Sequence, residues 1–377
     1  MDARFAIVGA GCAGLSLAWH LLDAGLDPRE LILVDARTRY TRDRTWCFFD
    51  VEPHPFEQLV THRWDRWRVR AGGDWVERSA PPLTYAHLPA DAFYDAVRAR
   101  LARARVDVRL GVEVGSVTDD GPRGAIVQTA RGALRVEAVF DSRPPRGRRD
   151  AEVSLLQHFT GWEVRCDEPR FDPGVATLMD FPMDRDEGLF FFYELPFDAH
   201  TALVEATWFD AGPVDLAKHR AALEERLGDA SFRIRHTETG VIPMTTAPFA
   251  RRIQRVYPIG LGGGLAKPST GYAFLAIQRY SAALAERLVE GPLPDPPELR
   301  TWLTRAQDRV FLSYLARHPN DAREAIVGLF ERLDPELLAR FLNDRATPAE
   351  SLRVMAAMPL MTMTDELLRS SRVWMRR

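Results

Sequence analysis

Cysteine is scarce in this chain: Cys12, Cys47 and Cys166 are the only ones among 377 residues, widely spaced and without a CxxC pair. That scarcity argues against a disulfide framework and against a structural zinc site, so no metal is expected, and it fits a reducing cytoplasm. Long apolar runs are also missing. No stretch reaches the ~18–20 residues that span a bilayer, so an integral membrane protein is not expected. Residues 1–4 are polar and the apolar run after them is of strand type, so a secretory signal is not expected either. Lysine is nearly displaced by arginine, and the formal net charge of −3 leaves no basic excess for a nucleic-acid partner. The group Arg143, Arg146, Arg148 and Arg149 lies among glycine and proline. It reads as a solvated loop, with a lipid-headgroup patch as the alternative.

What the chain does have is the balance of a folded globular protein, 46% hydrophobic and 27% charged. Its length suits two interleaved domains. Phe5-Ala6-Ile7-Val8 is a short strand-like run that Gly9 breaks, and Leu15, Leu17, Ala18, Leu21 and Leu22 then recur at helical spacing up to Gly25. Leu31-Ile32-Leu33-Val34 is a second buried strand. This order predicts a parallel sheet with a helical crossover. A helix is expected over 90–104 and strands over 106–117, 125–129 and 134–140. Residues 40–85 read as an insertion with short strands. Between 151 and 250 the runs alternate, as in Leu189-Phe190-Phe191-Phe192-Tyr193 and Ala202-Leu203-Val204-Glu205-Ala206-Thr207, the pattern of a mostly antiparallel sheet. The fold class is therefore α/β. Residues 1–150 and 251–290 form a discontinuous Rossmann-like dinucleotide-binding domain, 151–250 a β-sheet substrate domain, and 291–377 a helical region covering the pocket or facing a membrane.

Gly9-Ala10-Gly11-Cys12-Ala13-Gly14 fits GxGxxG in the right setting: it follows a strand, opens a helix, and Asp35 ends the next strand. Gly9 permits the tight turn, Gly11 lets backbone approach a pyrophosphate, and Gly14 lets helix and strand pack closely. The helix start supplies N–H groups for phosphate, and Asp35 suits ribose hydroxyls. This motif alone does not separate FAD from NAD. A second glycine-lined helix start, Gly260-Leu261-Gly262-Gly263-Gly264 followed by Lys267-Pro268-Ser269-Thr270-Gly271, suits a long cofactor lying extended across the domain, as FAD does. A plain loop into a buried helix is the alternative.

Several segments recur in a familiar order. They are Asp43-Arg44-Thr45-Trp46-Cys47-Phe48, Phe140-Asp141-Ser142-Arg143, Gln157-His158-Phe159-Thr160-Gly161-Trp162, Met179-Asp180-Phe181, Phe192-Tyr193-Glu194-Leu195-Pro196, Val204-Glu205-Ala206-Thr207, Gly240-Val241-Ile242-Pro243-Met244 and Pro268-Ser269-Thr270-Gly271-Tyr272. With the dinucleotide loop, they resemble the bacterial flavin-dependent lycopene β-cyclase family, within the geranylgeranyl-reductase-like flavoproteins. The resemblance runs from residue 5 to about 290 and weakens in the C-terminal helices. Flavin monooxygenases usually carry Gly-Asp at the late flavin loop, where this chain has Gly260-Leu261, as the cyclases do. Within the family two adjacent acids often stand near Glu205. Here Ala206 follows it, which removes a second carboxylate from that position.

The resemblance implies an isomerisation. A proton adds to the terminal double bond of an acyclic ψ-end, the internal double bond attacks the tertiary cation, and proton loss leaves a β-ionone ring. FAD in reduced form is implied, with NAD(P)H as reductant, and a carotenoid substrate such as lycopene. A buried glutamic acid suits the donor role, because desolvation keeps it protonated. Glu205 is the candidate, on one strand face with Leu203 and Thr207; a solvent-facing glutamate is the plain alternative. Asp180 is a candidate base or orienting group, or a turn cap. His158 is a candidate partner near flavin or substrate, or a core histidine. Arg44 is assigned to the flavin or its phosphates, with a surface ion pair as the alternative. Gly262, Gly263, Gly264, Thr270 and Gly271 complete the expected cofactor set. Trp46, Phe48, Phe159, Trp162, Phe190, Phe192, Tyr193 and Trp208 are candidates for cation stabilisation or for ordinary packing.

A C40 hydrocarbon must come from a membrane. Apolar stretches Ala325-Ile326-Val327-Gly328-Leu329-Phe330 and Met355-Ala356-Ala357-Met358-Pro359-Leu360-Met361 suit either an interfacial contact or a cover for the core. The expected location is cytoplasmic, peripheral to the inner membrane. A flavin monooxygenase or a prenyl-chain reductase acting on an apolar terpenoid is the alternative function, and a lipid-binding escort protein on the same scaffold is a third.

Overall fold

The computed structural model describes residues 1–144, 153–183, 188–212 and 214–359. Arg146, Arg148 and Arg149, with Leu360 and Met361 of the methionine-rich stretch, lie outside the described residues.

Phe5, Ala6 and Ile7 are completely buried because both faces of their strand are covered. Strand Ala3–Val8 runs parallel to Leu31–Asp35 on one side and to Gly132–Asp141 on the other. The helix Cys12–Asp23 crosses over between the first two. Its apolar face packs with that of Phe274–Glu290, whose Gln278 donates to Ser16 Oγ at 2.9 Å. Such double coverage is what lets a strand read as an unbroken apolar run. Residues 106–117, expected as one strand, form two: Asp107–Leu110 beside Leu31–Asp35, and Val114–Asp119 beside Ala125–Thr129. Gly111 takes φ +67° between them, a conformation open to glycine that sends the chain to the opposite edge of the sheet. Val256–Pro258 returns to this sheet parallel to Gly132–Asp141, delivering the late glycine loop beside the early one.

The second sheet runs in the order Phe232–Thr245, Ser154–Cys166, Thr201–Asp210, Leu189–Pro196, Val175–Phe181, Arg66–Ala71, Val76–Ser79. All its pairs are antiparallel except Val175–Phe181 with Arg66–Ala71. Side-chain parity divides its central strands cleanly. Val204, Ala206 and Trp208 pack under the helix Leu216–Leu227 with Phe190 and Phe192. Leu203 and Phe209 face the other way, in the same cluster as Leu312, Leu329 and Leu338 of the C-terminal helices. A small third sheet, Thr45–Phe49, Tyr85–Pro89 and His62–Trp64, packs Phe48 and Leu88 into the core of the first sheet and Phe49, Trp64 and Tyr85 into that of the second.

Four helices, Trp302–Arg317, Pro319–Arg332, Pro335–Leu342 and Pro348–Ala357, roof the second sheet among the described residues. Proline opens three of them at a position whose N–H needs no partner. Thr347 and Glu350 close a reciprocal cap on the last. Among the described residues no helix is long and apolar enough to cross a membrane.

Candidate active site

The early glycine loop is fixed by close contacts. Gly9 has φ +92°, and a Cβ on Gly14 would stand 1.9 Å from the Gly9 carbonyl oxygen. Above Gly11 the space is open, with the nearest atom to a Cβ there being Arg37 Nη2 at 3.7 Å. Asp35 accepts from Ala10 N–H at 2.6 Å and Arg37 N–H at 2.7 Å, so it braces the loop as well as ending its strand. The late loop meets the early one directly: a Cβ on Gly260 would sit 2.7 Å from Ala13 Cβ.

Gly11, Cys12, Ala13, Arg44, Gly260, Leu261, Thr270 and Gly271 all line one cavity of about 940 Å³. Gly262, Gly263 and Gly264 are not in its wall. Cβ atoms there would strike the Arg143 carbonyl at 2.6 Å, the Pro258 carbonyl at 2.4 Å and the Phe249 ring at 2.7 Å, so these glycines let the loop fold rather than face the space. Arg44 donates to the carbonyls of Asp43 at 2.6 Å and Thr239 at 2.9 Å. A wall of glycine and open backbone at a helix start is what an extended dinucleotide requires, so these residues fit that group.

The same cavity continues to the second sheet, where Leu178, Phe191, Phe209, Leu315, Phe330 and Leu338 make it apolar. Glu205 projects into this region and is 9% exposed. Strand Ser154–Cys166 separates the Glu205 strand from Phe232–Thr245, and at one register its residue is Gly161, opposite Glu205 on one side and Glu238 on the other. With no side chain between them, the two carboxyls meet. Burial, then the facing charge of Glu238 and a hydrogen bond with it, push the Glu205 carboxyl well above its ordinary value. Thr45 Oγ1 donates to Glu238 Oε2 at 2.7 Å and anchors that partner from the small sheet.

Parity separates the other two catalytic candidates from Glu205. His158 pairs in register with Trp208, and its imidazole lies 2.8 Å from His219 Nε2 and 3.2 Å from Asp210 Oδ1. Asp180 pairs with Phe192 and receives Arg70 Nε at 2.7 Å and Arg226 Nη1 at 2.7 Å. Both lie on the face covered by the helix Leu216–Leu227 and neither lines the cavity. Ala206 is on that face too, so an acid at 206 would point away from the cavity.

Sequence reasoning missed Glu238 and Cys47 as neighbours of the acid, Thr45 as the partner of Glu238, and Tyr85 and Tyr272 as part of the cavity wall. For Glu238 a weak signal existed, a lone glutamate three residues before the family-like Val241-Ile242-Pro243. Of the aromatic candidates, Phe159 and Tyr193 line the cavity with Trp46, whereas Trp162, Phe190, Phe192 and Trp208 pack beneath the helix.

The family model described as lycopene cyclase protein matches residues 5–368. The chain belongs to the lycopene cyclase family. It is 28% identical over 386 residues to the lycopene beta-cyclase of Paracoccus sp. (strain N81106), covering 94% of this chain and 93% of that protein. In fold it is similar to a geranylgeranyl bacteriochlorophyll reductase-like protein of Thermoplasma acidophilum, with TM-score 0.70, 12% identity, and 96% and 98% of the two chains covered. A flavin-dependent monooxygenase, PieE, solved in complex with FAD and substrate, aligns with TM-score 0.61 at 16% identity over 99% of this chain and 72% of that one. Family membership extends through the C-terminal helices, where the sequence resemblance is weakest.

One further network belongs to this site. Lys267, just before the Ser269-Thr270-Gly271 loop, is completely buried and reaches Asp308 at 2.8 Å and Asp344 at 2.7 Å. Arg300 pairs with Asp344 at 2.7 Å and donates to the Gly264 and Leu265 carbonyls. Two helical segments are thereby pinned to the late loop.

Proposed function

We propose that this protein is a lycopene cyclase that converts the ψ-ends of lycopene to β-ionone rings by acid catalysis, with FAD bound along the glycine loops. The observation that carries this reading is the Glu205 carboxyl, pushed well above its ordinary value by burial and by Glu238 in an apolar cavity that is continuous with the dinucleotide cleft. The cavity of about 940 Å³ lies at the upper end of small-molecule pockets, roughly 300–1,000 Å³, and it spans both the dinucleotide cleft and the apolar region around Glu205.

Glu205 delivers its proton to the terminal double bond, and Glu238 accepts a hydrogen bond from the acid while Thr45 keeps it in place. Loss of water from the site strengthens both effects. Aromatic faces of Phe159, Phe191 and Tyr193 stabilise the cation as it forms. When bound, reduced FAD, kept in that state by NAD(P)H, supplies negative charge beside the cation with no net electron transfer. Gly11 and the first turn of its helix hold the pyrophosphate, with Arg44 and Thr270 at the cavity wall. Asp180 and His158 contribute by holding the sheet to its covering helix.

Val214, Leu216 and Val241 are apolar, exposed and part of the cavity wall, which supports entry of the substrate from a lipid surface. The protein would then work at the cytoplasmic face of the membrane.

Expression in a lycopene-accumulating bacterium, with pigments separated by chromatography, tests the reading. Cyclic carotene of unchanged mass is expected. A hydroxylated or hydrogenated product would replace it with the monooxygenase or reductase alternative, and unchanged lycopene beside a flavin-loaded protein would exclude lycopene as substrate.

A further inference from the structure

Next to the carboxyl pair, the cavity wall carries a row of hydroxyls. Tyr193 stands opposite Glu205 in the register of adjacent strands. Its hydroxyl donates to that of Tyr85 at 2.9 Å, and Tyr85 lies 3.3 Å from the hydroxyl of Tyr272. The three residues come from the second sheet, the small sheet and the late flavin loop, and all line the cavity. Cys47 adds a thiol against Tyr193, within the field of both carboxyls. Burial pushes all three phenols above their ordinary value. None of them therefore serves as a base by ionising. A neutral hydroxyl can still accept a proton while it passes its own along, and its hydrogen rotates to suit either direction.

Resting on the cyclase reading, we propose that Tyr272, Tyr85 and Tyr193 form a proton-return relay from the closing ring to the Glu205–Glu238 pair. In the first step the Glu205 O–H bond breaks and a C–H bond forms at the terminal alkene, leaving a carboxylate and a tertiary cation. The internal alkene then forms the ring C–C bond. A ring C–H bond next to the new cation breaks, and its electron pair becomes the ring double bond. The released proton bonds to a tyrosine oxygen, each hydroxyl hands its own proton to the next, and Tyr193 delivers one to the Glu205 carboxylate. Charge and electrons balance, with no oxidant or reductant consumed. The acid is recharged without solvent entering the cavity, and the position of the row selects which ring proton leaves.

The test uses flavin-loaded Tyr85→Phe, which keeps the ring and removes the central hydroxyl. Lycopene turnover is followed in H2O and D2O mixtures, and the end groups are identified by chromatography. The wild type is expected to give a curved dependence of rate on deuterium fraction and a single ring type. Tyr85→Phe is expected to retain flavin, turn over roughly 10–100-fold more slowly, show a linear dependence, and place ring double bonds at more than one position. Wild-type isotope behaviour and end groups in Tyr85→Phe would overturn the relay while leaving the cyclase reading intact. Absence of any ring from the wild type would overturn the cyclase reading itself. Should Tyr85→Phe fail to fold, Tyr272→Phe at the far end of the row gives the same readouts.

Discussion

Glu205 and Glu238 occupy strands that are not neighbours, yet their carboxyls touch, because Gly161 alone stands between them. A Cβ on Gly161 would lie 2.9 Å from Glu205 Cγ and 3.0 Å from its Oε1. The glycine is thus a gap through which one carboxyl raises the pKa of the other. Gly161→Ala is expected to keep its flavin absorbance while ring closure falls by about 100-fold, since a displaced general acid loses most of its contribution. Unchanged turnover in that variant would mean that the carboxyl contact is dispensable.

Glu238→Gln removes the charge facing Glu205 but leaves its burial. The Glu205 pKa should then fall, and a reaction that needs the protonated acid should lose activity at lower pH than in the wild type. The alkaline limb of the pH–turnover profile reports this directly. Glu205→Gln should bind flavin and close no rings at any pH.

The same raised pKa has a cost in stability. Glu205 is protonated in the folded protein at pH values where the unfolded chain, near the ordinary 4.5, is already ionised. Stability attributable to this residue is therefore complete below that value and is lost as pH rises toward the folded value, by about 1.4 kcal/mol per pH unit. Thermal unfolding of Glu205→Gln should show a stability advantage over the wild type that widens from pH 5 upward. A constant gap would place the folded pKa near its ordinary value.

Gly14→Ala drives a methyl to 1.9 Å from the Gly9 carbonyl, and the backbone there cannot yield without opening the loop. The purified variant should be colourless, with flavin absent from a denatured extract. Retained flavin at wild-type stoichiometry would move the cofactor away from the early glycine loop.

Lys267→Met leaves Asp308 and Asp344 buried beside a neutral side chain. Asp344, which the neighbouring cations hold down at about 2, keeps Arg300, but Asp308 loses its charge partner. Breaking a buried pair from one side typically costs about 3–5 kcal/mol. A drop in chemical-denaturation stability of that order is expected, with faster proteolysis in the 300–359 helices. A change below about 1 kcal/mol would show that the network is replaceable.

The sequence was most legible where local pattern decides the outcome. The strand, glycine turn and helix around Gly9 and the strand that carries Glu205 follow from spacing between near neighbours, whereas Glu205 is buried because both faces of its strand are covered, which no local spacing reports. His158 and Asp180 carry residue types suited to catalysis, but registers to Trp208 and Phe192 put them on the face opposite the cavity. Registers join strands dozens of residues apart, and no local period reports them. Glu238 was illegible for the same reason, since its importance depends on pairing with 161 and, through it, on 205. In the late loop the glycines that looked most like a phosphate cradle are folding devices, and Gly260 with Leu261 faces the cleft instead.

The separation of residues 161, 205 and 238 along the chain also sets an order of events. Until residue 238 has emerged and its strand has docked, Glu205 has no opposing carboxyl, and the later helices that roof the cavity have yet to be made. A growing chain therefore carries two unremarkable glutamates. The Glu205 carboxyl with its raised pKa comes into being only when the sheet is complete, so an unfinished molecule has no such centre to expose.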